Sequence, residues 1–235
     1  MRLDKFLCQL NLGTRSQIKT YIRQGLVTVN GQVEKSVDRK VHENIDRVSF
    51  RGHELRYAPE RYYMLNKPAG VVSATKDNNT GTVMELLSSQ DRKGVFPVGR
   101  LDKDTEGLMI LTNNGELAHR LLTPKRHVDK TYLVSMEHAL SEEDILRLEQ
   151  GVDIGEEHPT LPARVEVIDG KTIYLTVCEG KFHQVKRMLR AVGNGVIALK
   201  RISFAGLYLD GNLKSGEYRE LTDQEAATLR KAGDA

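Results

Sequence analysis

The chain has 235 residues, of which 39% are hydrophobic and 29% are charged, a composition typical of a soluble globular protein with one or two domains. No uncharged apolar run approaches the roughly 20 residues of a membrane span, and the first residues lack the apolar core of a signal peptide. Two distant cysteines, Cys8 and Cys178, provide neither a disulfide framework nor a zinc cluster and favour a reducing, cytoplasmic setting.

The net charge of +3 is unevenly distributed along the chain. Residues 1–58 hold 11 Lys and Arg against 6 Asp and Glu, whereas the rest of the chain holds 24 against 26. A basic front end favours a polyanionic partner such as nucleic acid, because cations displace the counterions condensed on phosphates. A solvated charged face would account for the charge balance equally well.

Two short helices and a hairpin are predicted at this front end. Apolar residues at helical spacing indicate a helix over residues 2–11, and a second helix begins at Thr14 or Ser16. Three cations spaced four residues apart form one stripe on the second helix, away from its apolar face: Arg15, Lys19 and Arg23. Such a stripe suits a row of phosphates. Residues 27–33 alternate β-branched side chains up to an Asn-Gly pair, which predicts a hairpin.

A charged linker over residues 52–61 is predicted to separate two domains, with the boundary after residue 58. Strands are then predicted at residues 62–65, 71–75, 109–112, 130–134, 165–168, 173–177, 196–199, 207–209 and 218–221, with a turn at 66–70 and a short helix or turn at 83–87. Helices are predicted at residues 116–122, 141–150, 184–192 and 222–231. This order is rich in hairpins, so we predict an α+β fold: a mainly antiparallel mixed sheet with flanking helices in residues 59–235.

A polar loop at residues 99–108 stands out before the apolar run at 109–111. Two glycines frame it, and they leave the carboxylate of Asp102 two positions after Arg100. A loop shaped by glycines presents side chains, which makes Asp102 the first candidate for catalysis. Asp102 or Asp104 can equally serve to cap a turn. Common catalytic signatures such as phosphate-binding loops, nucleophile elbows and zinc clusters do not occur in the sequence.

The whole chain resembles the pseudouridine synthases that carry an S4-type RNA-binding domain. Residues 99–108 match the family signature Gly-Arg-Leu-Asp-x-x-Thr-x-Gly-Leu, and the order of elements in residues 1–50 is similar to an S4 domain. Further family-like stretches begin at Leu65, Lys130 and Glu179. Residues 119–124 are most similar to the branch that modifies small-subunit ribosomal RNA, and its sister enzymes on large-subunit RNA share this architecture.

The resemblance implies a cofactor-free and metal-free isomerisation of uridine, in which the bond from C1′ to N1 breaks and a bond to C5 forms. Two routes are open to Asp102: attack on C1′, or removal of the C2′ proton to give a glycal. The family's basic partner of this carboxylate maps to Lys186, with Arg187 as the alternative. A cation about 4 Å away contributes about 4 kcal/mol at an effective dielectric of 20 and favours the ionised form. Tyr132 matches the family's active-site tyrosine, which packs on the base and helps remove the C5 proton.

Other residues are predicted to touch RNA or to shape the site. Arg100 is expected to contact phosphate or sugar and to hold the target nucleotide out of the stack. Lys67 is either an RNA contact or a turn residue. Arg187 contacts RNA if it does not pair with Asp102, and His183 is structural or contacts RNA. Asp104 is expected to have only a role in loop structure.

The resemblance predicts an enzyme that converts one uridine of small-subunit ribosomal RNA, at position 516 of bacterial 16S RNA, to pseudouridine. Ribosomal RNA within a partly assembled small subunit is the expected partner, without a membrane, and nothing requires more than a monomer. The alternatives are a synthase that acts on large-subunit RNA and a non-catalytic assembly factor that binds ribosomal RNA through the same scaffold.

Overall fold

The protein is described by a computed structural model that covers residues 1–10, 12–42, 45–55 and 60–234, with only the backbone of Gln9. The chain divides into two compact units, Met1–Arg61 and Tyr62–Ala235. The predicted domain boundary after residue 58, like part of the predicted linker, lies outside the described residues.

The front unit contains two helices and a four-stranded antiparallel sheet that share one core. The helices are α1 (Leu3–Gln9) and α2 (Arg15–Arg23), and the strands are β1 (Val27–Val29), β2 (Gln32–Val33), β3 (Val48–Phe50) and β4 (His53–Leu55), in the sheet order β2-β1-β3-β4. Thr14 rather than Ser16 caps α2, since its side chain accepts a hydrogen bond from the backbone N–H of Gln17. The predicted end of the first helix, Asn11, lies outside the described residues.

The second unit is built on one large sheet. Its strands are β5 (Tyr62–Lys67), β6 (Phe96–Pro97), β7 (Glu106–Thr112), β8 (Lys130–Met136), β9 (Arg164–Asp169), β10 (Thr172–Val177), β11 (Val196–Phe204), β12 (Leu207–Tyr208) and β13 (Tyr218–Glu220). The order is β13-β5-β7-β11-β8-β10-β9, with β6 beside β7 and β12 beside β11. All described pairs of these strands are antiparallel except β7 with β11, which confirms the predicted α+β class.

Helices cover both faces of this sheet. They are α3 (Gly115–Leu122), α4 (Glu142–Gln150), α5 (Gln184–Ala191) and α6 (Asp223–Asp234), with short 3-10 helices at Val83–Leu86 and Pro124–Arg126. Side chains of β5 and β7 alternate between two cores, so both strands are buried on both faces. One core includes Leu148 of α4 and Met188 of α5, and the other includes Leu121 of α3 and Leu229 of α6. Strand β7 is part of this sheet and helix α5 packs against it, so both belong to the second unit.

Three predicted boundaries differ from the structure. Asn66 and Lys67, predicted in a turn, continue β5 and pair with Leu108 and Gly107. The predicted strand at 71–75 is wrong, since only an isolated bridge from Val72 to Thr82 forms there. The strand predicted at 196–199 continues to residue 204. Among the helices of the described residues, none has the length and apolar character of a membrane span.

Candidate active site

Asp102 lies on the loop that joins β6 to β7, and close packing of the backbone shapes that loop. Gly99 and Gly107 both have positive φ angles, +79° and +99°. A Cβ atom at Gly107 would lie 2.2 Å from the carbonyl oxygen of Arg201 on β11. Gly107 therefore permits the close parallel pairing of β7 with β11, and only glycine fits there.

The ammonium group of Lys67 on β5 binds the backbone of the Asp102 loop. Its Nζ donates hydrogen bonds to the carbonyl oxygens of Pro68 (3.1 Å), Asp102 (3.0 Å) and Thr105 (2.7 Å). Lys67 is fully buried. This burial excludes a contact with RNA, so the predicted RNA contact at Lys67 is wrong. The local sequence does not show that the loop folds over this side chain. Burial lowers the pKa of Lys67 to about 8, against the opposing attraction of nearby carboxylates.

Ser73 fixes the residue before Asp102. The backbone N–H of Leu101 donates to Ser73 Oγ at 2.9 Å, and this hydroxyl donates to the carbonyl oxygen of Leu101 at 2.7 Å. Ser73 is buried, so water does not compete for these bonds. The segment predicted as a strand is thus a support for the Asp102 loop.

The Asp102 carboxylate is partly exposed and faces the start of α5. Its Oδ2 lies 3.4 Å from Lys186 Nζ, and its Oδ1 lies 3.6 Å from His183 Nε2. The exposed fraction of the Asp102 side chain is 28%, so a ligand can reach it. Two basic side chains therefore flank one accessible carboxylate, and Lys186 rather than Arg187 is the one that pairs with it.

Asp104 is a second partner of Lys186, and its predicted role in loop structure alone is wrong. Lys186 Nζ lies 2.5 Å from Asp104 Oδ1, nearer than it lies to Asp102. The hydrogen bond and the charge of Lys186 hold the pKa of Asp104 below its usual range. Because the Asp104 side chain is 72% exposed, solvent screens this pair and its contribution to stability is small.

Arg187 points away from Asp102. Its guanidinium donates to the carbonyl oxygens of Ile154 and Phe182 and forms an ion pair with Glu156 at 2.7 Å. These bonds occupy the guanidinium, so it neither pairs with Asp102, as one prediction had it, nor is free to bind an RNA phosphate, as the other had it. Arg187 instead ties α5 to the loop before β9.

Tyr132 has a buried neighbour, Arg201, that was not among the predicted site residues. The two residues lie directly opposite each other on β8 and β11, so their side chains share a face. The Arg201 Nε donates to the carbonyl oxygen of Leu108 on β7 at 2.8 Å. Arg201 is only 2% exposed, and burial lowers its pKa. The one signal in the sequence was an arginine inside a long β-type run.

The remaining predicted RNA contacts are exposed. Arg100 is exposed on the Asp102 loop and forms no ion pair with another described residue. In the front unit, the cations of α2 point outward while Ile18 and Ile22 are buried: Arg15, Lys19 and Arg23. Exposure is required for binding phosphates, and the contacts themselves stay predictions.

Comparison with known proteins identifies the family. Residues 61–191 match the family model described as RNA pseudouridylate synthase, and residues 1–44 match the S4 domain. The chain belongs to the RNA pseudouridine synthase family. This confirms the predicted family, the S4-type domain and the enzyme class, an isomerase that converts uridine to pseudouridine in RNA.

Relatives of this synthase align with it over almost the whole of both chains. It is 47% identical to an RNA pseudouridine synthase of Bacillus subtilis, named YtzG, over 98% of this chain and 99% of that protein. It is 42% identical to ribosomal small subunit pseudouridine synthase A of Yersinia pestis, over 97% and 98%. A crystal structure of a pseudouridylate synthase has 38% identity and a TM-score of 0.72, covering 97% of this chain and 99% of the other.

Proposed function

We propose that this synthase converts one uridine of small-subunit ribosomal RNA, position 516 in bacterial 16S RNA, to pseudouridine. The full-length similarity to a protein named ribosomal small subunit pseudouridine synthase A supports this choice of RNA. The observation that carries the chemistry is the accessible Asp102 carboxylate beside Lys186, 3.4 Å away.

Asp102 acts on the sugar of the target nucleotide. Either it attacks C1′ as a nucleophile, or it removes the C2′ proton to give a glycal, and in both routes the bond from C1′ to N1 breaks. The base then turns and C5 bonds to C1′. In the first route this breaks the bond between Asp102 and C1′, and in the second route C2′ regains its proton from Asp102. The proton leaves C5 while N1 gains one, so the reaction is an isomerisation. Lys186 places its ammonium group 3.4 Å from this carboxylate.

Tyr132 packs against the turned base, and the buried Arg201 lies directly opposite it on the neighbouring strand. A positioned hydroxyl assists the loss of the C5 proton, a typical proton-transfer role in catalysis. The target base has to leave the RNA stack to reach these groups, and Arg100 on the exposed part of the loop holds the extruded nucleotide.

The front unit binds the same RNA through the cations of α2. We propose that the substrate is a partly assembled small subunit, that the enzyme works in the cytoplasm and that it is a monomer. The exposed stripe of Arg15, Lys19 and Arg23 supports a phosphate-binding role.

Chemical mapping of pseudouridine tests the proposal. Wild-type protein, Asp102→Asn and the control Asp169→Asn, at an exposed carboxylate of the β9–β10 hairpin, are each incubated with small-subunit RNA and with partly assembled particles. We expect wild-type protein to modify one uridine, Asp102→Asn to lose at least about 100-fold in rate, and Asp169→Asn to stay within about fivefold.

Three outcomes would contradict it. Equal rates for wild-type protein and Asp102→Asn would remove Asp102 from the mechanism. Pseudouridine in large-subunit RNA only would favour a sister activity. No pseudouridine in any ribosomal RNA would favour a non-catalytic assembly factor.

A further inference from the structure

Phe182 is an exposed aromatic residue just before the N-terminus of α5. It is 73% exposed, although a large apolar ring gains free energy when it is buried. One face of its ring stacks on the imidazole of His183, with ring centroids 3.8 Å apart and an interplanar angle of 21°. The opposite face of the phenyl ring is therefore accessible.

The backbone around Phe182 is firmly held. The carbonyl oxygen of Phe182 accepts a hydrogen bond from Arg187 Nη1 at 3.0 Å. On the other side, the N–H of Lys181 donates to the side chain of Gln184 at 2.8 Å, and Gln184 in turn donates to Glu179 at 2.9 Å. Gln184 is itself buried. These bonds hold the loop in one conformation, so the exposure of the ring is a property of the fold.

The stacked pair adjoins the proposed catalytic carboxylate. His183 Nε2 lies 3.6 Å from Asp102 Oδ1, and Lys186, one turn into the same helix, lies 3.4 Å from Asp102 Oδ2. Phe182 is thus separated from Asp102 by a single imidazole ring. A nucleotide whose sugar reaches Asp102 brings its neighbours in the RNA strand to this position.

We propose that Phe182 is a stacking site for a nucleobase next to the target uridine. This inference rests on the proposed function, since it requires RNA at Asp102. Aromatic side chains bind unpaired bases through their faces, tolerate any base and add to the phosphate contacts of nearby cations. When the target uridine leaves the stack, its neighbour loses a stacking partner, and the Phe182 ring replaces that partner. His183 supports the ring from behind and fixes its distance from Asp102.

The test uses the full-length protein and an RNA segment that wild-type protein modifies, with 2-aminopurine on either side of the target. Binding is measured with Asp102→Asn protein, which leaves the RNA unmodified. We expect fluorescence quenching at one flanking position, and loss of that quenching when Phe182→Ala is added. The Kd for RNA rises by about 5- to 150-fold in the Ala variant, whereas Phe182→Trp retains both quenching and affinity. Tyr208→Ala removes an equally exposed ring, at 72%, and is expected to leave both unchanged.

The outcomes separate this inference from the proposed function. Unchanged affinity and quenching in Phe182→Ala, with an active wild type, would overturn the stacking site alone. A loss of activity confined to ribonucleoprotein particles, with normal binding of free RNA, would replace the base with a protein contact and overturn it as well. A wild type that modifies no ribosomal RNA would overturn both.

Discussion

Lys67 brings a positive charge into the interior of the second unit, where its acceptors are backbone carbonyls of the Asp102 loop. Backbone dipoles compensate a buried charge only in part, which is why burial lowers the pKa of Lys67 to about 8 from its usual 10.5. Lys130 shows the same effect, with a pKa lowered by burial to about 8.

The shifted pKa of Lys67 predicts a stability that increases with pH. Below pH 8 both states hold the proton and the fold bears the full cost of the buried charge. Between pH 8 and 10.5 the folded protein releases this proton while the unfolded chain keeps it, so the free energy of unfolding rises, by up to about 3 kcal/mol for this residue. Denaturant unfolding of wild-type protein and Lys67→Met at pH 7 and pH 10 measures the effect.

The difference in stability between wild-type protein and Lys67→Met is expected to shift in favour of wild type at pH 10. The contribution of Lys130 is present in both proteins and cancels. A difference that is the same at both pH values would mean that Lys67 keeps an ordinary pKa.

Arg201 and Lys67 show which site residues the local sequence hides. Asp102 was predictable because its family signature is continuous in sequence, and the position of Lys186 followed from a second continuous stretch. Arg201 acts through a partner on another strand, and Lys67 through a loop that folds back over it, so neither role leaves a pattern in neighbouring residues.

Among the elements, the segment after β5 is the clearest case of tertiary structure overriding propensity. Residues 71–75 have the β-branched composition of a strand. The segment instead places Ser73 so that its hydroxyl hydrogen-bonds both the N–H and the carbonyl oxygen of Leu101. By contrast, helix α2 and the Asn30-Gly31 turn were predictable, because a capping residue and a tight turn are local features.

The role of Ser73 as a support predicts a defect in catalysis that exceeds its effect on stability. Ser73→Ala leaves the N–H and C=O of Leu101 unpaired, at a cost of about 1–3 kcal/mol, and loosens the loop next to Asp102. We expect the single-turnover rate to fall about 10-fold or more with RNA affinity unchanged, since Ser73 is buried and cannot touch RNA.

Ser141→Ala is the matched control for this variant. It removes the N-cap of α4, which costs about 1 kcal/mol, at a place that does not support the Asp102 loop. Thermal unfolding shows whether both variants lose comparable stability. An equal loss of rate in the two proteins would mean that general destabilisation, and not the loop, slows Ser73→Ala.

At the scale of the whole molecule, the proposed phosphate-binding stripe and the proposed catalytic residues belong to different units. The front unit has a core of its own and carries the exposed cations of α2, whereas Asp102, Tyr132 and Lys186 all belong to the second unit. The uneven distribution of charge along the sequence predicted a basic front unit, and RNA binding through α2 stays a prediction.

Removal of the α2 stripe is predicted to weaken binding without altering the chemical step. If Arg15, Lys19 and Arg23 each neutralise one phosphate, replacing all three with Gln makes the negative slope of log association constant against log salt concentration shallower by about 2. The saturated single-turnover rate stays at the wild-type value. The Kd measured between low and high salt provides the slope.

The same change of net charge in the second unit serves as a control: Lys171, Lys214 and Lys231, all exposed, are replaced with Gln. We expect a smaller change in slope from these three. Slopes that change equally in both triple variants would assign the salt dependence to total charge and not to α2.

The position of β11 in the chain also determines when the active site can assemble during translation. Val196–Phe204 is synthesised late, yet it is the neighbour that β7 and β8 share, and its Arg201 donates to Leu108 on β7 and lies opposite Tyr132 on β8. Contacts between such distant parts of the chain form slowly, and only after both have left the ribosome. The front unit, complete at Arg61, emerges much earlier. A nascent chain therefore folds its S4-type unit long before it has an assembled active site, and modification begins only after β11 has been synthesised.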